Sequence, residues 1–389
     1  RVLAVLDWEL SGLGDVPRAA VWNALGLRWS WRREARAVDA FRRAGPHSDD
    51  PRVHEWRIRA ALWNGEAAQA EAWLAALPDA LAGEARWRYW TARVAEMRGR
   101  GATAEAGFRA LLGANNAYSA LAAWRLDGAV TPDPKPGAAP DADVQARLAA
   151  DPAIQRMHLL HALDLRPRFT LEWFAFQRGL SPADFDQLSR YAFAQQWWLH
   201  GVDAATRAGV FDDFERLYPR PYDVQVDRAA RDTGLPAALI NGLIRQESLY
   251  EPRARSHANA YGLMQLLLPT ARGVAQRHGL PTPTRDDLYD PDRNVALGSR
   301  YLAERLDRFN GQWMPAIAAY NAGAGAVDRW LPERPMDADV WMENIPYNET
   351  RAYVGKLLWH RTVYAWKHSG DAQRPHDMLM PIKPPGTGG

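Results

Sequence analysis

Two segments of the chain repeat one pattern. "EWRIRAALWNG" ends at Gly65 and "YWTARVAEMRG" ends at Gly99, so Trp56 aligns with Trp90, Ala61 with Ala95 and Gly65 with Gly99, all at one offset. "AWLAAL" and "GFRALL" follow at a similar interval. A period near 34 is that of stacked helical hairpins. One such hairpin cannot bury its apolar face alone, so neighbours must stack into a superhelical array. The alternative is a pair of unrelated amphipathic hairpins. Strand alternation is nearly absent elsewhere, so the chain reads as all-α.

The pattern divides the chain into four parts. Residues 1–143 form the α-superhelical (solenoid) region, closed by the Pro-, Gly- and Asp-rich stretch from Asp127 to Asp143. Residues 144–218 form a helical linker, in which Tyr191, Ala194, Trp197, Trp198 and Val202 approximate one helical face. "YPRPYD" marks the break to a compact helical domain over 219–372, and 373–389 read as an extended tail.

Composition removes several chemistries. The absence of cysteine excludes disulfides, thiolate nucleophiles and Cys-based metal sites. The net charge is +2 and only four of the 48 basic residues are Lys, which argues against nucleic acid as a partner. No run approaches the roughly 18–20 apolar residues that span a bilayer, so the chain reads as soluble. A start at Arg1 reads as a processed or truncated chain whose signal peptide is not in view. The 18 tryptophans suit packed helical arrays first and carbohydrate grooves second. The 10 histidines show no ligand spacing. "DPDRN" from Asp290 has the start of a calcium loop but lacks its central Gly and final Glu, so it reads as a helix cap. "GAGAV" follows no strand and is not a nucleotide loop. No metal or cofactor is expected.

One acid sits where a leucine would pack better. In "GLPAALINGLIRQESLYEP", Leu239, Ile240, Leu243 and Ile244 recur at helical spacing, and Glu247 continues their face. A desolvated carboxyl has a raised pKa. Raising it by about 2 penalises the ionised form by roughly 2.7 kcal/mol, which leaves a proton donor near neutral pH. The alternative is a structural glutamate paired with an arginine. Neighbouring features favour chemistry. Ser248 follows at the helix end, and "SHANAYGLMQ" supplies small residues, a tight Gly262 and the polar tip of Gln265. "AIAAYNAGAGAV" places Tyr320 and Asn321 before a Gly-rich turn, and "ENIPYNETRAYVGKLL" adds Glu343.

Together these motifs resemble the soluble lytic murein transglycosylases, whose catalytic domain is similar to goose-type lysozyme. The resemblance is carried by Glu247-Ser248, by Gly262-Leu263-Met264-Gln265, by Ala319-Tyr320-Asn321-Ala322-Gly323, and by Glu343 to Tyr347 with Glu349-Thr350-Arg351. "SRYAFAQQWW" resembles the family's linker domain and "WRYWTARVAEMRGR" its superhelix, which in the family curves into a ring or horseshoe; with fewer N-terminal helices than a full ring requires, the resemblance implies a solenoid that is a partial ring. Two positions depart from the pattern: Asn259 stands where the family usually has Gly, and Leu267 where it often has Met.

The resemblance implies a lyase that cleaves the bond between N-acetylmuramic acid and N-acetylglucosamine without water. Glu247 would act as acid and then as base, closing a 1,6-anhydro ring, and Tyr320 would contact its carboxylate. Ser256, Gln265 and Glu343 would bind the glycan or its peptide stem. Met264 would pack behind the site, and Ser248 and Asn321 complete the set, Asn321 with a helix-terminus role favoured. The resemblance further implies a periplasmic monomer acting on peptidoglycan strands and their stems, with cell-wall synthesis or secretion machinery as candidate partners. A goose-lysozyme-like hydrolase would need a second carboxylate, for which Asp286, Asp287 and Glu343 are the nominees. A non-catalytic murein-binding scaffold would have no use for a desolvated acid.

Overall fold

The computed structural model describes residues 2–45, 48–137 and 139–386. Among them the chain forms 23 α-helices, and its sheet consists of two antiparallel two-residue strands, β1 (Ala260–Tyr261) and β2 (Leu266–Leu267). The protein is all-α.

The chain packs as two units. One comprises Arg1–Thr131, Glu304–Thr362 and Asp371–Gly389; the other comprises Pro132–Ala303 and Val363–Gly370. These bounds cut the chain elsewhere than the sequence reading at 143, 218 and 372.

In the first unit the repeat spacing is realised in the helices themselves. Pro51–Trp63 and Ala85–Met97 start at the offset that separates Gly65 from Gly99, as do their second helices, Ala67–Ala75 and Gly101–Arg109. Gly65 and Gly99 end the two first helices at φ 74° and 75°, a left-handed turn that glycine adopts without steric cost. Trp56, Trp87, Tyr89 and Trp90 are buried, so the aromatic residues here are packing material. The segment after residue 372 is held rather than loose. Gln373 and Val130 exchange backbone hydrogen bonds at 2.7 Å, Ile382 pairs with Met336, and Met378 and Ile382 are buried. Residues 387–389 lie outside the described residues.

In the second unit, the linker helices close on Ile154, Met157, Phe169, Trp173, Leu188, Tyr191 and Trp197. The face read from Tyr191 to Val202 does not lie on one helix. Helix Pro182–Ala194 stops, Gln196 takes a left-handed φ of 61°, and helix Trp198–Arg207 begins. The corner buries Tyr191 and Trp197 from two directions and leaves Ala194 exposed. Periodicity alone does not register such a corner, because both helices contribute apolar residues to it.

Candidate active site

The second unit carries Glu247 on helix Ala237–Ser248. Leu239, Ile240, Leu243 and Ile244 are at most 1% exposed, which anchors the helix. Glu247 lies on the same face but is only half-buried. This residue is where the buried seam meets the surface. Ser248 is buried, and its Oγ donates to Ile244 O at 3.1 Å, so its proton is used within the helix. The helix stops well before Pro252, through two consecutive left-handed residues, Leu249 (φ 48°) and Tyr250 (φ 67°). Non-glycine residues reach that region at an energetic cost, and such residues concentrate at functional sites. Tyr250 is held from both ends. Tyr222 Oη donates to its carbonyl at 3.1 Å, and its own hydroxyl meets Tyr364 Oη at 2.5 Å.

The loop after the acid helix is a tightly bonded unit. Ser256 Oγ accepts from Ala260 N at 3.0 Å. Asn259 takes φ 60°, a conformation asparagine tolerates, so its replacement of glycine is accommodated. Gly262 has no such latitude. A Cβ there would collide with Leu288 O and Asn294 Nδ2. Gln265 Nε2 donates to Gly262 O at 2.8 Å and Ala254 O at 3.2 Å, tying the ends of the loop together. Met264 is fully buried, with its sulfur beside Gly298 and Ser299.

Asn294, which the sequence reading treated only as part of a helix-capping run, is the residue that fixes this loop. Its Oδ1 accepts from Met264 N at 2.7 Å, and its Nδ2 donates to Tyr261 O at 2.9 Å and Leu288 O at 2.8 Å. It is 0% exposed. Asp290, one turn earlier, accepts from Arg293 N and caps the following helix. Asp287 is likewise engaged, receiving Thr284 N and Oγ1.

The first unit carries Tyr320, Asn321 and Glu343. Tyr320 is 9% exposed near the end of helix Trp313–Ala322. Asn321 Oδ1 accepts from Thr350 Oγ1 at 2.6 Å, a bond between two of the family-like motifs. Glu343 departs from the expectation that it binds substrate, because it is 0% exposed. Arg59 Nε donates to its Oε1 at 3.0 Å, and Trp90 Nε1 and Tyr118 Oη donate to its Oε2, each at 3.0 Å. One helical turn earlier, Asp339 Oδ2 receives Tyr89 Oη at 2.6 Å, Arg125 Nη2 at 3.0 Å and Arg93 Nε at 3.1 Å. Burial pushes both carboxyls up. The Arg59, Arg86 and Arg351 guanidiniums around Glu343, and Arg125 and Arg93 around Asp339, outweigh burial, so both are held below the ordinary range. Arg59 and Arg93 stand at the repeat offset, at one position of the hairpin. That alignment was available in the sequence as a sign that the repeat carries charge as well as packing. Beyond Glu343, Arg33 donates to Asn344 O at 3.0 Å and Arg351 to Ile345 O at 2.7 Å, which fixes the backbone of the "ENIPY" turn.

The sequence pattern of the Transglycosylase SLT domain matches residues 225–339, and that of the Soluble lytic murein transglycosylase L domain matches 147–214. These are the two domains by which this chain is similar to the soluble lytic murein transglycosylases. A soluble lytic murein transglycosylase of Salmonella typhimurium is 33% identical over 313 residues, 80% of this chain and 48% of that one. The crystal structure of an inactive mutant of the lytic transglycosylase Slt from Pseudomonas aeruginosa matches with a TM-score of 0.87 at 30% identity, covering 98% of this chain and 62% of that one. A 70-kDa soluble lytic transglycosylase in complex with bulgecin A matches at 0.76 and 29% identity, covering 88% and 55%. The chain spans about half the length of the curated relatives it matches. No helix among its described residues is long and apolar enough to cross a membrane.

Proposed function

We propose that this chain cleaves the β-1,4 bond between N-acetylmuramic acid and N-acetylglucosamine in peptidoglycan as a lytic transglycosylase. Glu247 gives its proton to the glycosidic oxygen as the C1–O bond breaks. It then takes the proton of the muramic C6 hydroxyl while O6 bonds to C1. Atoms balance with no water consumed, and the carboxyl returns to its starting state. General acid–base assistance of this kind is worth about 10²- to 10⁴-fold. Tyr320 is assigned to the catalytic carboxylate on its place in the Ala319–Gly323 motif. Ser256 and Gln265 are assigned to the glycan side of the loop.

The observation that carries this reading is the contrast in carboxylate environment. Glu247 ends a fully buried stripe yet reaches the surface, whereas Glu343 is sealed by three donors. A sealed carboxylate cannot activate a water, which removes the best-placed nominee for a hydrolase's second acid. Asp287 is spent on a cap and Asp286 is exposed with no comparable setting. We assign Glu343 to architecture and leave one acid for both proton transfers. The proposed setting is the periplasm, with glycan strands and their peptide stems as substrate.

Digestion of purified peptidoglycan followed by mass spectrometry of the muropeptides tests the reaction directly. Products lighter by one water and lacking a reducing end are expected. Reducing products of full hydrolytic mass would replace this reading with a lysozyme, and binding without cleavage would replace it with a scaffold.

A further inference from the structure

The turn that ends the acid helix also floors a cavity in the second unit that Glu247 does not line. The cavity is about 560 Å³, the size of a small-molecule site. Its walls come from the linker helices, at Phe169, Thr170 and the corner Gln195–His200, and from the Tyr250–Pro252 turn. Trp198 is partly exposed into it, with its ring 6.4 Å from that of Tyr250.

Charge distinguishes what such a cavity can hold. Arg166 pairs with Glu251 and Asp164, and Arg255 donates to Asn259 Oδ1, a neutral acceptor, at 2.6 Å. The other polar groups are neutral. The side chains of Gln195, Gln196 and Thr170 make no hydrogen bond among the described residues. His200 sits 4.5 Å from the Phe169 ring, and burial pushes its imidazole down to about 4, so it is uncharged at neutral pH. Gln196 is held at φ 61°, a cost that a plain helix corner could avoid with glycine. Two amides, a hydroxyl and a neutral imidazole around an indole face suit an uncharged ligand with many hydroxyls and one apolar face.

We infer that this cavity is an accessory saccharide site, holding an N-acetylhexosamine residue of a glycan strand against Trp198 with the Gln195 and Gln196 amides on its polar groups. The inference rests on the glycan-cleaving reading for the choice of sugar. Occupancy would bear on the strained Leu249–Tyr250 turn, which begins two residues after Glu247.

The test is titration of the full chain with tri-N-acetylchitotriose, read by calorimetry, together with kinetics on purified peptidoglycan. Two variants are compared with the parent chain: Trp198→Ala, which removes the platform, and Thr170→Val, which keeps the shape and removes one hydroxyl. Trp198→Ala is expected to weaken binding at one class of site about tenfold and to raise KM by a similar factor, with kcat unchanged. Thr170→Val is expected to shift both in the same direction by a smaller factor. Unaltered oligosaccharide binding and unaltered KM in both folded variants would overturn the site. A parent chain that makes no anhydro products would overturn the lyase reading instead. The titration still reports on the cavity in that case, and a parent chain that binds no oligosaccharide would overturn the site as well.

Discussion

Two glutamates stand in the last turns of two helices of this protein, and their surroundings separate them completely. Glu247 completes an apolar stripe of leucine and isoleucine in one unit and is itself half-buried. Glu343 completes a short helix in the other, where arginine, tryptophan and tyrosine occupy both its oxygens. The first setting places an acid at the edge of an apolar seam. The second holds the charge and uses it to fasten a helix. Residue type and helix position are shared, so the difference in setting comes from what has been brought alongside.

The sharpest way to break this comparison is to remove each acid's charge while keeping its shape. Glu247→Gln should leave the unfolding midpoint unchanged and reduce formation of anhydro products by about 10²- to 10⁴-fold. A variant retaining near-parental cleavage would sink the mechanism. Glu343→Gln should do the reverse. Removing one partner from a buried ion pair costs about 3–5 kcal/mol, which should appear as a lower midpoint in urea, with activity per folded molecule largely kept. An activity loss larger than the folding loss would return Glu343 to the catalytic machinery.

A smaller effect sharpens the loop side of the contrast. Gly262→Ala forces a Cβ against Leu288 O and Asn294, so we expect about 1–3 kcal/mol of destabilisation and a raised KM. Tight binding of substrate by that variant would show that the loop adapts. Acid titration tests the other side. Asp339 and Glu343 have lowered pKa values in the folded state, so their stabilisation is present above the ordinary carboxylate range and is lost as pH falls through the lowered values. Stability measured by denaturant at stepped pH should decline below about pH 4, and Glu343→Gln should flatten that decline. The smallest expected change is Asn321→Ala, which loses the bond from Thr350 and should cost about 0.5–1.5 kcal/mol with little effect on kcat.

The particulars explain what could be read in advance. The solenoid period was legible because each hairpin writes its own packing face and its own glycine stop, and the helices do start at the offset of the two glycines. The place of Glu247 at the end of a buried stripe was legible because a carboxylate on an apolar stripe is a local anomaly. Gly262 was legible as a tight turn, although the clash that requires it involves Leu288 and Asn294, well downstream. The sealed setting of Glu343 was not legible because it depends on Arg59, 284 residues away. Asn294 was missed for a related reason: its side chain serves backbone atoms of a distant loop, which no local pattern records. The Tyr191–Val202 face was broken by one left-handed residue, Gln196, which looks unremarkable between helical neighbours.

The matched arginines carry a consequence for how this protein can change over time. Arg59 and Arg93 occupy one position in two copies of a hairpin, and their acids, Glu343 and Asp339, lie one turn apart on one helix. Sliding that helix by a turn would leave a buried arginine facing no acid, so intermediate alignments are penalised and the docking is digital. The array can therefore gain or lose hairpins at its far end, while the two that hold the arginines must keep their spacing to the residue. Copy number in the rest of the solenoid is free to drift; here it is indexed.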